Sequence, residues 1–217
     1  MDHINQTFAD LDQKSLFAGV GTKKLLDSFT ENEAGMVFPT KLMFVQDTPK
    51  RIWVHGLLKE VEKNCTIVSF LENLEKLIAR PDVLHCIQHP IVSDDNVYRD
   101  YHDGSFVKNH PILSDPRALA IVLYYDELEV ANPLGSFAKK HKLGMFYWSL
   151  ANIYPKFRSS KRAIQLYAIA KHEDIDDNIE QILHNFIIAI KKLEQGVTFY
   201  IRGEEYFFKS YFASGKW

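Results

Sequence analysis

Asp126, Glu127 and Glu129 stand together at the end of an apolar run, Leu119-Ala120-Ile121-Val122-Leu123-Tyr124-Tyr125. Carboxylates supply the oxygen ligands that Mg²⁺ and Mn²⁺ prefer, and a catalytic pair of such ions sits roughly 3.5–4 Å apart, clamped by acids from different elements. A buried strand that ends in an acid is one way an α/β protein places such a ligand. Asp126 is therefore the candidate metal ligand and catalytic acid. Glu129 is expected past the strand end, from where it reaches back. Side chains alternate along a strand, so Asp126 shares a face with Val122 and Tyr124, and Glu127 points to the other face. The bland reading of the same acid is a cap for the turn that follows, Asn132-Pro133-Leu134-Gly135-Ser136. That turn lacks the glycines and the Gly-Lys-Ser/Thr ending of a phosphate loop, and no Ser-His-Asp or His-Glu-x-x-His arrangement stands elsewhere in the chain.

The second chemistry is cationic. Lys139, Lys140, Lys142, Lys156, Arg158, Lys161, Arg162 and Lys171 fall in a stretch, 139–172, that holds no Asp or Glu. Just before it, Asp94, Asp95, Asp100, Asp103, Asp115, Asp126, Glu127 and Glu129 form an acidic block. Such asymmetry marks a surface facing a polyanion, or else two blocks that neutralise each other in the fold. On the first reading, Lys139, Lys140, Lys142, Lys156, Arg158, Lys161 and Arg162 contact phosphates, and Tyr154 or Phe157 stacks on bases. His141, amid Lys139, Lys140 and Lys142, reads as part of a solvated basic turn.

The elements that must position these groups are legible from hydrophobic period. Ala118–Tyr125 is apolar on both faces, as in a central strand. Leu143–Ile153 and Ala163–Ala170 read as two further strands, rich in aromatic and β-branched residues. Ile179, Ile182, Leu183, Phe186, Ile187, Ile190 and Leu193 mark one helix face; Asp176 or Asp177 caps it and Gly196 ends it. Val197–Arg202 and Tyr206–Phe212 flank Gly203-Glu204 as a hairpin. The order after residue 117 is β-β-β-α-β-β.

Upstream, Ile67, Phe70, Leu71, Leu74, Leu77 and Ile78 predict a helix over 67–79 with Thr66 at its start. Arg80-Pro81 ends it and opens a second short helix through Gln88. A weaker helix is expected over Leu16–Phe29. Met36–Pro39 and Lys41–Val45 read as extended or irregular, and residues 89–116 as turns.

Composition sets the outer bounds. The 217 residues are 46% hydrophobic and 25% charged, with a net charge of −2. That is ordinary globular composition, and it argues neither for nor against a nucleic-acid partner. Cys65 and Cys86 form no Cys-x-x-Cys pair, so no zinc site is expected and a reducing compartment is the default. Asp2–Thr7 is polar, unlike a secretory signal, and no apolar run approaches the ~18–20 residues of a membrane span. An intracellular chain, nuclear or cytoplasmic, with no membrane partner is the expectation.

Leu123-Tyr124-Tyr125-Asp126-Glu127-Leu128-Glu129-Val130-Ala131-Asn132-Pro133-Leu134-Gly135-Ser136, followed by His141-Lys142-Leu143-Gly144-Met145-Phe146-Tyr147, resembles the DDE-type transposases of animal transposons. Phe70-Leu71-Glu72-Asn73-Leu74, Pro81-Asp82-Val83 and Asp103-Gly104-Ser105-Phe106 extend the resemblance upstream, so that it covers roughly residues 65–217. It implies an RNase H-like domain, which runs β-β-β-α-β with the first catalytic Asp on its first strand. Asp126 matches that acid, and Glu127 replaces the more usual second Asp of the motif. The family's next acid follows a glycine; if Gly215 is that glycine, Lys216 stands where an Asp would, and the third acid would lie beyond Trp217.

The expectation is thus an α/β (α+β) chain. Residues 1–116 are read as a mainly helical, loop-rich N-terminal region. Residues 117–217 are read as an incomplete RNase H-like mixed sheet with one long helix. Asp126 becomes a vestigial first acid. No cofactor is expected, since Mg²⁺ or Mn²⁺ would bind only a complete acidic site. The chain is read as a catalytically inactive, transposon-derived fragment. The alternatives are a module that binds DNA, one that binds a protein or a second copy through an exposed sheet edge, or an unrelated α/β enzyme built on Asp126, Glu129 and Asp103.

Overall fold

The computed structural model of the chain describes residues 37–46, 49, 51–91, 97–129 and 142–211. Contacts divide the chain between Phe38 and Pro39, and every element below belongs to the second unit. In chain order these are β1 (Thr40–Met43), β2 (Arg51–Val54), β3 (Leu57–Glu60), β4 (Asn64–Ile67), α1 (Phe70–Ile78), α2 (Pro81–Gln88), α3 (Ser105–Asn109), β5 (Leu119–Glu129), β6 (Lys142–Leu150), α4 (Pro155–Arg158), β7 (Gln165–Lys171), α5 (Ile179–Gln195), β8 (Val197–Ile201), β9 (Glu204–Phe208) and β10 (Ser210–Tyr211). Single 3₁₀ turns stand at Tyr101–Asp103 and His172–Asp174. The fold is mixed α/β.

Six strands form one mixed sheet in the order β1-β4-β7-β6-β5-β10. β5, β6 and β7 pair antiparallel in sequence, and β10 returns beside β5 in parallel. β4 extends the sheet from β7, and β1 closes that edge. β2–β3 and β8–β9 are separate hairpins.

One face of the sheet carries the core. Leu119, Ile121 and Leu123 of β5 alternate onto it and meet Phe146, Trp148 and Leu150 of β6. Above them α5 lays down Ile182, Phe186, Ala189, Ile190 and Leu193. Phe70 of α1 stands edge-on to both Trp148 and Phe186, at 4.8 and 4.7 Å between ring centroids, a favoured geometry for aromatic pairs. The buried Tyr167 hydroxyl donates to Ile182 O at 2.8 Å, which satisfies the one polar atom that this large side chain brings inside.

On the opposite face the cover is smaller. Leu113, with Tyr101 and Val107, packs on Ala120, Ala151 and Val122. Asn152 is buried there; its amide oxygen accepts from Ala120 N and its nitrogen donates to Ala118 O, both at 2.9 Å. It pins the start of β5 to the end of β6. Farther along β5, this face is open to solvent.

The three central strands, α5 and its Gly196 terminus follow the hydrophobic pattern. Gly196 has φ +110°, and an added Cβ would lie 2.0 Å from the Phe207 ring, so glycine is required there on both counts. The first half departs from expectation. Among its described residues, 40–67 hold four strands where extended or irregular chain and the start of a helix are expected. Ile67 and Thr66 belong to β4, opposite Thr40 and Lys41, and α1 begins at Phe70 after Ser69. The continuous apolar spacing at Ile67 and Phe70 hides a change from strand to helix. The β2–β3 hairpin turns on His55 and Gly56, at φ +51° and +79°, a left-handed pair that matches a two-residue hairpin loop. Strands from both sides of residue 117 share one sheet, so the boundary expected at 116/117 runs through a continuous structure. The helix expected at 16–29 lies outside the described residues.

Candidate functional site

β5 carries its acids to the open end of the sheet and divides them between the faces. Asp126 sits opposite Met145 and Glu127 opposite Gly144. Glu129 is not beyond the strand. It is the last residue of β5, opposite Lys142, and by alternation it shares Glu127's face rather than Asp126's. It therefore cannot join Asp126 by reaching back.

Asp126 is exposed, and its Oδ1 accepts from the Glu127 backbone N–H at 2.8 Å. Its face continues through Tyr124 and Leu128 on β5, Met145 and Tyr147 on β6, and Ile169 on β7. Among the described strands of this sheet, no other carboxylate lies on that face. Nor do the described residues contain a group of three His, Cys, Asp or Glu placed to hold a metal. A two-metal clamp needs acids converging from different elements. The described residues do not bring such a set of acids together around Asp126.

Asp103 is committed elsewhere. It is buried, and its Oδ2 accepts from Arg99 N and Asp100 N at 2.7 and 3.0 Å, as the acceptor of a capping box. The spacing Asp100-x-x-Asp103 is the sequence signal of that cap. An enzyme site uniting Asp126, Glu129 and Asp103 is not assembled here.

The other face of the strand end holds a cluster that sequence spacing did not reveal. Glu127 Oε2 accepts from Lys142 Nζ at 2.9 Å, and its Oε1 lies 3.4 Å from His172 Nδ1. The Tyr125 hydroxyl lies 3.1 Å from the same Nδ1. The Lys142 hydrogen bond holds the Glu127 carboxyl below the ordinary carboxylate range. Desolvation, then the Glu127 charge, pushes the Tyr125 phenol upward. Gly144 makes the arrangement sterically possible: a Cβ there would lie 2.1 Å from Ile175 Cδ1 and 2.9 Å from Tyr125. The four side chains are all partly solvated, and exposed ion pairs of this kind are structural far more often than catalytic.

The basic segment is dispersed by the fold. Lys142 is paired with Glu127. Arg158 is not a free phosphate contact: its guanidinium takes Asp100 bidentately, at 3.0 and 2.6 Å, and also donates to Ile153 O and Ala151 O. Both pairs join the basic block to the acidic block, so part of the charge asymmetry is neutralised within the fold. Lys156 lies over the Phe157 ring, 4.7 Å from its centroid. Lys161 and Arg162 are exposed, with no side-chain partner among the described residues. Lys139, Lys140, His141 and the Asn132–Ser136 turn lie outside the described residues, as do Gly215 and Lys216.

Both cysteines are free and buried, and burial pushes the Cys65 thiol up to about 11. The two edges of the main sheet are β1, four residues long and bearing Lys41, and the two-residue β10. Short edges and an edge lysine are devices that discourage strand addition. No described helix is long and apolar enough to cross a membrane.

No protein-family model and no curated protein matches the chain. The reading of its function therefore rests on its own residues and geometry.

Proposed function

We propose that the chain is transposon-derived and RNase H-like in its sheet, with Asp126 a remnant of the first metal-binding acid and no nuclease or strand-transfer activity of its own. One observation carries this reading: three consecutive antiparallel strands, β5-β6-β7, are followed by the helix α5 and then by β10, parallel to β5 and next to it. That is the strand succession the motif resemblance implies, and Asp126 lies on its first strand. The β8–β9 hairpin between α5 and β10, and the extension of the sheet by β4 and β1, are departures from the simple pattern. The inactive reading is supported by the apolar surroundings of Asp126 on its face of the sheet.

The experiment is Mg²⁺- or Mn²⁺-dependent cleavage of plasmid and oligonucleotide DNA by the purified chain, beside Asp126→Ala. The expected result is no metal-dependent cleavage in either. Robust cleavage that disappears in Asp126→Ala overturns the proposal.

A second reading, a nucleic-acid-binding module, is favoured by one feature. Lys156, Lys161 and Arg162 lie within seven positions of one another around the half-exposed Phe157. Titration with single-stranded DNA at roughly 50 and 200 mM salt tests it, because three phosphate contacts imply a log–log slope of about −2 on a single strand. Salt-independent or absent binding excludes it.

A further inference from the structure

Between α2 and the β6–β7 connection lies a cleft of about 430 Å³, within the ~300–1,000 Å³ range of small-ligand pockets. Val83, Cys86, Ile153 and Ala163 form an apolar lining, Tyr154 and Phe157 add aromatic walls, and Ser160 supplies a hydroxyl. The Tyr154 hydroxyl donates to His89 O at 2.8 Å, which fixes that ring against α2. The Phe157 ring is about half exposed, and Lys156 Nζ lies over it at 4.7 Å from the centroid, a contact that a stacking base would displace or share.

The rim is cationic. Its one carboxylate, Asp82, is held by Arg80 at 2.6 Å. Arg80 also donates from Nη1 to Arg162 O at 2.7 Å, which anchors the Arg162 backbone at the cleft while its guanidinium stays unpaired among the described residues. Arg162 lines the cleft, Lys161 precedes it in the chain and Lys156 precedes Phe157, so the segment that walls the cavity carries three cations with no carboxylate partner among the described residues. An apolar peptide side chain or a lipid tail would make no use of them. A planar ring joined to phosphates would use both the walls and the rim.

We infer that this cleft receives an unpaired base of a single-stranded nucleic acid, stacked on Phe157, with the neighbouring phosphates held by Lys161 and Arg162. The inference rests on the nucleic-acid-binding reading of segment 139–172 and names the form of nucleic acid it takes. It does not depend on Asp126. A base within a duplex is already stacked and cannot enter.

The test uses the full chain, a 12-nucleotide oligo-dA, a blunt duplex of mixed sequence of the same length, and free dAMP. The parent binds the single strand more tightly than the duplex. Phe157→Ala, a change at a half-exposed side chain, weakens single-strand binding roughly tenfold, the value of one base–aromatic stack, and leaves duplex binding unchanged. Lys161→Gln with Arg162→Gln weakens both. The single strand also slows iodoacetamide modification of Cys86, on the cleft lining. Cys65, 1% exposed and with its thiol pushed up to about 11, stays unmodified throughout and reports that the fold is intact. Free dAMP gives the same protection at much higher concentration if the base alone is recognised.

If single strand and duplex bind equally, and Phe157→Ala changes neither, the inference is overturned while the binding reading survives. If neither nucleic acid binds, both fail, and the cleft serves a ligand of another class.

Discussion

Arg158 and Asp100 stand 58 positions apart and meet as a bidentate ion pair at 2.6 and 3.0 Å, each side chain about four-fifths buried. The pair ties the loop-rich stretch before β5 to the connection between β6 and β7. It also takes one cation of the basic segment out of the exposed surface. Arg158 belongs to the architecture, and the nucleic-acid-binding proposal rests on its neighbours instead.

Breaking this pair is expected to cost stability. Removing one partner of a desolvated pair leaves a buried charge unmatched, at about 3 kcal/mol. Urea unfolding should place Arg158→Ala and Asp100→Ala well below the parent, with the double variant less destabilised than the sum. Strict additivity in that cycle would show that the two side chains do not act together.

Asp126 and Glu127 should separate in the same assay. Asp126→Ala removes an exposed carboxylate with one local hydrogen bond, and stability should stay within about 0.5 kcal/mol of the parent. Glu127→Ala releases Lys142 and His172 together and should lower the midpoint measurably, an effect that salt reduces in the parent. Loss of stability in Asp126→Ala larger than in Glu127→Ala would contradict the placement of the two acids.

His102 is buried, and desolvation pushes its pKa below the ordinary 6.5, against the opposing pull of Asp100. The unfolded chain then takes up this proton near pH 6.5 while the folded chain resists it. Stability is complete above that value and declines as pH falls through it, until the folded-state pKa is reached. The urea midpoint should therefore fall between about pH 7.5 and about pH 5.5, and His102→Gln should flatten the decline. The lowered carboxylates Asp82, Asp115 and Glu127 titrate below their ordinary 3.8–4.5 and lie outside this window.

Gly144→Ala is expected to destabilise by about 1–3 kcal/mol, the usual cost of overpacking. The new methyl meets the buried Ile175 at 2.1 Å, and Tyr125 on the adjoining strand. The Tyr125–His172 contact should be disturbed with it, visible as a shift in the His172 imidazole resonances. Unchanged resonances and unchanged stability would mean that the strand end yields freely.

Local pattern by itself determined much of the second half. The continuous apolar run Leu119–Tyr125, the apolar and aromatic runs of β6 and β7 and the 3.6-residue period of α5 are strong because each element buries a continuous face. Strand alternation by itself places Asp126 and Glu127 on opposite faces. The strands of the first half were harder to read, because β1 to β4 are four residues each, and β1 to β3 expose most of their side chains. Such segments carry too few buried positions to set a period.

The tertiary structure alone decided which charges are available. Pairings such as Arg158–Asp100 and Glu127–Lys142 depend on sheet register and on loops that return across the fold, and no local spacing encodes them. Register likewise kept Glu129 within β5 and surrounded Asp126 with apolar neighbours. The chain thus announces an acid at a strand end and a basic stretch after it. Long-range pairing leaves that acid without a companion among the described strands, and leaves Arg162 at the rim of an aromatic cleft.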